Sequence, residues 1–183
     1  MLIDSLVVFC GSKNGNNPLF AQKAEEVGSL LAAHNIRLIF GGGSVGLMGI
    51  VADAVLKGGG QVTGIIPQQL VDWEREHKGL TELIVVDNMH SRKKQMYDLA
   101  QAALVLPGGF GSLDELFEII TWNQLSIHDK QIFILNTAGF YDNLVKHIDV
   151  MKAEGFLYQE AMDRITIIKE PEELISYYKS VSR

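Results

Sequence analysis

Short runs of β-branched and apolar residues alternate along the chain with longer stretches of helical period, the pattern of a parallel sheet covered by helices. Strands are predicted at Leu6–Cys10, Ile36–Phe40, Gln61–Ile66, Glu82–Val86, Ala102–Leu106, Gln131–Leu135 and Ile165–Ile168. After the first of these, Phe20, Ala24, Val27 and Leu31 fall at i, i+4, i+7 and i+11, one stripe facing a core. Asn17-Pro18 signs the start of that helix, a cap followed by proline at the first helical position. Pro18 and Pro171 open helices, whereas Pro67 and Pro107 close strands. No repeat, low-complexity tract or linker interrupts the alternation. The expected architecture is one α/β domain over residues 1–183. Its sheet is mostly parallel, with helices on both faces.

Composition narrows what such a domain can bind. A formal net charge of −6 supplies no broad cationic field for nucleic acid, so any anionic ligand must be held locally. Cys10 is the single cysteine, which removes intrachain disulfides and Cys-rich zinc sites and suits a reducing cytoplasm. The five histidines, His34, His77, His90, His128 and His147, show no metal-binding spacing, so no metal is expected. The apolar runs are far shorter than the roughly 20 residues of a membrane helix. Met1-Leu2-Ile3-Asp4 carries an acid where a secretory signal would carry Lys or Arg. Between two strands, Gln68 to Thr81 includes Asp72, Trp73, Glu74, Arg75, Glu76, His77 and Lys78 and reads as an exposed, mobile excursion beside a ligand site.

Three predicted strands run into glycine-rich turns just before a helix: Cys10-Gly11-Ser12, Gly41-Gly42-Gly43-Ser44-Val45-Gly46-Leu47-Met48-Gly49, and Pro107-Gly108-Gly109-Phe110-Gly111-Ser112. Missing β-carbons let an anion reach backbone N–H groups, and the following helix contributes the positive end of its dipole. One such turn is as readily a tight bend; three on one sheet edge favour phosphate binding, with Gly42, Gly43 and Gly46 forming the second turn. Gly41 to Gly46 also satisfies G-x-G-x-x-G, but Ile65, Ile66, Pro67 and Gln68 stand where a dinucleotide enzyme needs an acid. Leu47 and Met48 likewise occupy the Lys and Ser/Thr places of a Walker loop.

Ser112-Leu113-Asp114-Glu115 fits a capping box, with Ser112 as cap and Glu115 reaching back. It equally fits a catalytic Glu115, because two acids beside a phosphate turn cost repulsion that a bound sugar would justify. Asn88-Met89-His90-Ser91-Arg92-Lys93-Lys94 opens another helix, where cations oppose the dipole unless something anionic faces them. The alternative is a solvated basic face. Cys10 reads best as a small buried hydrophobe, and Trp122 as core rather than a base-stacking ring.

Taken together, Cys10-Gly11-Ser12, the Gly41–Gly49 run, Met89-His90-Ser91-Arg92-Lys93 and Pro107 through Glu115 resemble the LOG family, the cytokinin-activating phosphoribohydrolases, in order over nearly the whole chain. The resemblance implies a doubly wound, mostly parallel α/β sheet of the Rossmann-like nucleotide-binding fold, in a cytoplasmic homodimer with no cofactor. It also implies hydrolysis of the N-glycosidic bond of cytokinin riboside 5′-monophosphates, and of AMP, to free base and ribose 5-phosphate. Arg92 and Glu115 match the family's catalytic pair, and Gly108, Gly109, Phe110, Gly111 and Ser112 its phosphate turn, continuing into Leu113 and Asp114. Met89, Arg92, Lys93 and Thr121 fall at nucleotide-contacting positions, Ser12 assists the phosphate, and Glu74 is carried over by spacing alone. Ser112 replaces a usual threonine and Asp114 a common glutamate. Relatives also carry the label "possible lysine decarboxylase", for which Lys93 would have to form a Schiff base with pyridoxal phosphate. A nucleotide-binding module without chemistry is the remaining alternative.

Overall fold

The computed structural model describes residues 3–71 and 76–181; Met1, Leu2 and the stretch containing Asp72, Trp73, Glu74 and Arg75 lie outside the described residues. Seven strands form one parallel sheet: β1 (Ser5–Phe9), β2 (Arg37–Phe40), β3 (Val62–Pro67), β4 (Glu82–Val86), β5 (Ala102–Val105), β6 (Gln131–Leu135) and β7 (Ile165–Ile168). Their spatial order is β4-β3-β2-β1-β5-β6-β7. The chain winds outward from β1 to β4, crosses to the other side of β1 as β5, and winds outward again. The carboxyl ends of β1 and β5 therefore part at a switch point, the crevice where open parallel sheets take ligands. Within the sheet Leu6 pairs with Leu38 on one side and Ala102 on the other.

Seven helices follow: α1 (Pro18–Ala33), α2 (Gly46–Lys57), α3 (Met89–Leu99), α4 (Phe110–Gln124), α5 (Asp142–Ala153), α6 (Gln159–Met162) and α7 (Glu172–Val181). Side chains alternate across a strand, so each strand feeds both faces. Leu6, Val8, Leu38, Phe40 and Leu104 pack under Val27 and Leu31 of α1, Val51 and Val55 of α2, and Leu174 of α7. Val7, Phe9, Ile39, Ala103 and Ile132 pack under Met96 and Tyr97 of α3 and Leu116 and Ile119 of α4. The helices that carry Arg92 and Glu115 thus share one face. Asn17 caps α1 as expected, its side chain accepting from Leu19 N–H.

The excursion after β3 differs from expectation in its described part. His77 N–H donates to the Gly42 carbonyl at 3.0 Å, Glu76 forms an antiparallel bridge with Gly43, and His77 Nε2 lies 3.0 Å from Asp53 of α2. Backbone pairing to the second glycine turn holds this stretch against the sheet edge rather than leaving it loose. No described helix is long and apolar enough to cross a membrane.

Candidate active site

At the switch point Gly11 N–H donates to the Pro107 carbonyl at 3.0 Å, joining the turns after β1 and β5. Glycine at 108 is a packing requirement: a Cβ there would stand 2.1 Å from the Ser112 hydroxyl and 3.0 Å from Gly11 N. Gly109 and Gly111 are different. Neither has positive φ, and a Cβ on either would meet nothing within 4 Å. Neither the backbone conformation nor packing requires glycine there, and both backbones lie open to the space above them.

The capping box expected at Ser112 and Glu115 does not form. Gly109, extended at φ −99° and ψ −153°, is the cap of α4, so Ser112 lies within the first turn, 3% exposed, and Glu115 in the second. The N–H groups of Phe110, Gly111 and Ser112 have no carbonyl to bond within their own helix, while Leu113 N–H already reaches the Gly109 carbonyl. Glu115 lines a cavity of about 290 Å³ together with Gly109, Phe110, Gly111, Ser112 and Asp114.

Arg92 enters the same cavity from α3, whose start is capped by the Asn88 side chain accepting from Ser91 N–H at 2.9 Å. Only 5% exposed, Arg92 donates from Nε to the Ile65 carbonyl at 3.0 Å and from Nη2 to the Gly41 carbonyl at 2.7 Å. Two strand ends thereby fix the plane of the guanidinium. Met89, half-exposed, brings Sδ to 3.7 Å from Arg92 Nη1 and lines the cavity, as do Cys10, Gly11, Ser12 and Met48.

The second glycine turn packs against the first. Gly42, Gly43 and Gly46 do not line the cavity. Gly46, at φ +64°, packs on the Ser12–Lys13 backbone, where a Cβ would stand 2.2 Å from the Ser12 carbonyl carbon, and Leu47 N–H donates to the Gly11 carbonyl. Its glycines therefore allow close backbone contact, supporting the first turn and, through Gly41, Arg92.

Lys93, expected to face an anionic ligand, instead pairs with α4: its Nζ lies 3.1 Å from Asp114 and 3.0 Å from Glu118. Burial works against its charge, but the two carboxylates hold its pKa above the ordinary lysine value. Lys94 pairs with Asp98 on the surface, the solvated-face outcome. Thr121 is exposed and donates its hydroxyl to the Phe117 carbonyl of its own helix, away from the cavity. Cys10 is buried, its thiol pushed far up by desolvation and by the negative charge of Glu115. Trp122 packs edge-on against Tyr97 at 5.0 Å and belongs to the core. A neighbouring cavity of about 320 Å³, bounded by Lys13, Phe20 and Phe140, shares Gly11, Ser12 and Gly109 with the first. Among the described residues no group of three or more His, Cys, Asp or Glu is placed to hold a metal.

A family described as "Possible lysine decarboxylase" matches residues 48–178. The chain is 43% identical over 175 residues to a probable cytokinin riboside 5′-monophosphate phosphoribohydrolase of Oryza sativa subsp. japonica, covering 96% of this chain and 72% of that one. The chain belongs to the LOG family. Another relative, the cytokinin riboside 5′-monophosphate phosphoribohydrolase of Rhodococcoides fascians, is 40% identical, covering 96% of this chain and 89% of that one. Among solved structures, a molybdenum cofactor binding protein from Rippkaea orientalis shares the fold with a TM-score of 0.74 at 20% identity, covering 100% of this chain and 99% of that one. The decarboxylase description of the LOG family finds no support at Lys93, because a Schiff-base lysine must lose its proton and this one is held protonated between two carboxylates.

Proposed function

We propose that this protein hydrolyses the N-glycosidic bond of N6-substituted adenine riboside 5′-monophosphates, and of AMP, releasing free base and ribose 5-phosphate. The observation that carries this reading is one cavity lined both by the amino end of α4, with open space over Gly109 and Gly111, and by Glu115 and Arg92. The free N–H groups of the first turn and the helix dipole hold the 5′-phosphate, with Ser12 on the facing turn. Fixing that remote group aligns the sugar carbon with the carboxylate.

Glu115 orients a water and takes its proton as oxygen bonds to C1′ of the ribose; the C1′–N9 pair leaves with the base, which gains a proton. Its negative charge also stabilises the oxocarbenium character that develops on the sugar. Arg92, immobilised by the Ile65 and Gly41 carbonyls, presents a fixed cation that keeps the carboxylate ionised and orients the sugar hydroxyls. Met89 and Phe110 flank the mouth, Phe110 being 93% exposed, and suit contact with the base. In this reading the whole chain acts as one cytoplasmic domain, paired as a homodimer, and needs no metal or cofactor.

Incubating purified protein with AMP and with isopentenyladenosine monophosphate, then separating bases and assaying ribose 5-phosphate, tests the proposal. Equimolar release of base and sugar phosphate, with no release from the unphosphorylated nucleosides, is expected. Tight binding of AMP without release would instead mark a nucleotide-binding module.

A further inference from the structure

Resting on that reading, we propose that Glu118 and Tyr97 are positioning residues for Glu115, acting with Lys93 as a brace between α3 and α4. Arg92 and Glu115 come from different helices, so their separation depends on how those helices are rotated against each other. Tyr97 lies one turn beyond Lys93 on α3, and Glu118 lies one turn beyond Asp114 and Glu115 on α4, so all five side chains cluster at one helix–helix contact.

The tyrosine ring is fully buried, edge-on to Phe9 and Trp122. Its hydroxyl donates to Glu118 Oε2 at 2.9 Å and lies 3.3 Å from the Glu115 carbonyl oxygen. Glu118 Oε2 also lies 3.0 Å from Lys93 Nζ, whose other carboxylate partner is Asp114. Lys93 and Glu118 side chains are only 14% and 21% exposed, so solvent screens this pair poorly. A core contact made only for stability would be met as well by apolar residues, whereas linked, mostly buried polar groups fix one geometry.

Among the described residues, Cys10, Arg92 and Asp114 share the cavity with Glu115, its charge is felt at the Tyr97 hydroxyl, and Lys93 and Glu118 reach it through Asp114 and Tyr97. Lys93 offsets the two neighbouring acids as well as holding them in place.

The test compares Y97F, E118Q and the double variant with the parent on AMP and isopentenyladenosine monophosphate. Each single variant is expected to lower kcat about 10-fold or more, from misplacement of the carboxylate, while KM stays within about twofold because the phosphate turn is untouched. The double variant should be no slower than the slower single one, since both lose the same contact. Parent-like kcat in both singles, or losses that multiply in the double, overturns the brace. A second readout needs no turnover. With 13C-labelled glutamate and E115Q to assign the resonance, K93M should raise the titration midpoint of Glu115 by about half a pH unit or more, as two acids lose their counter-ion. An unchanged midpoint overturns the proposal. Should the parent release no base while K93M still shifts the midpoint, the hydrolase reading fails and only the coupling of Lys93 to Glu115 stands.

Discussion

Arg92 Nη2 lies 2.7 Å from the Gly41 carbonyl oxygen, and a Cβ on Gly41 would stand 2.2 Å from that same nitrogen. The absent side chain makes room for the guanidinium, and the carbonyl fixes it. G41A should therefore move Arg92 and lower kcat on nucleoside monophosphates about 100-fold, the scale of an ångström-sized misplacement, with the fold retained by circular dichroism. Parent-like kcat would show that the guanidinium can act from elsewhere.

Two glycines separate ligand space from backbone need. Gly111 sits inside α4 with room for a methyl group, so G111A should keep or raise Tm, alanine being better in a helix by about 0.5–1 kcal/mol. Its KM for AMP should nonetheless rise about 10-fold or more if the phosphate occupies that space. G46A should instead lower Tm, because a left-handed residue against the Ser12 backbone costs about 1–3 kcal/mol of strain. An unchanged KM in G111A would place the phosphate elsewhere.

Because Glu115 is outside the α4 cap, E115Q should leave Tm within a degree or two while lowering turnover about 10²–10⁴-fold. Thermal melts alongside base-release assays separate the two effects. A capping residue would have shown the opposite pattern.

Cys10 should behave as an inert thiol. Burial and the Glu115 charge push its pKa far above the ordinary range, so the thiolate is scarce at neutral pH. Iodoacetamide at pH 8 should leave the native mass unchanged by mass spectrometry over hours and label Cys10 only in denaturant. Rapid native labelling would mean that the turn after β1 opens readily.

Much of this molecule could be read from its residues. The limits of β4, β6 and β7 coincide with the predicted runs, and the Phe20–Leu31 stripe of α1 meets the core, because apolar periodicity records burial directly. Arg92 and Glu115 were also legible, as charged groups at helix starts beside glycine turns, and one cavity brings them together. The capping box stayed open as an alternative because its spacing is indifferent to where the helix begins, which the extended Gly109 decides. The contact of Gly46 with the Ser12 backbone was not legible, since a sequence does not say which backbone approaches a glycine. Lys93 and Glu118 are 25 positions apart, 118 minus 93, so their pairing exists only once the sheet has set α3 beside α4.

The reversal of strand order at β1 has a consequence for how the chain comes to work. The guanidinium is moored to the wing of the sheet made by β2 and β3, whereas the carboxylate belongs to the helix that leaves β5 in the opposite wing. Neither wing holds both groups by itself. In the proposed mechanism hydrolysis therefore requires both wings to be in place along β1, so a chain with either wing unfolded is expected to release no base.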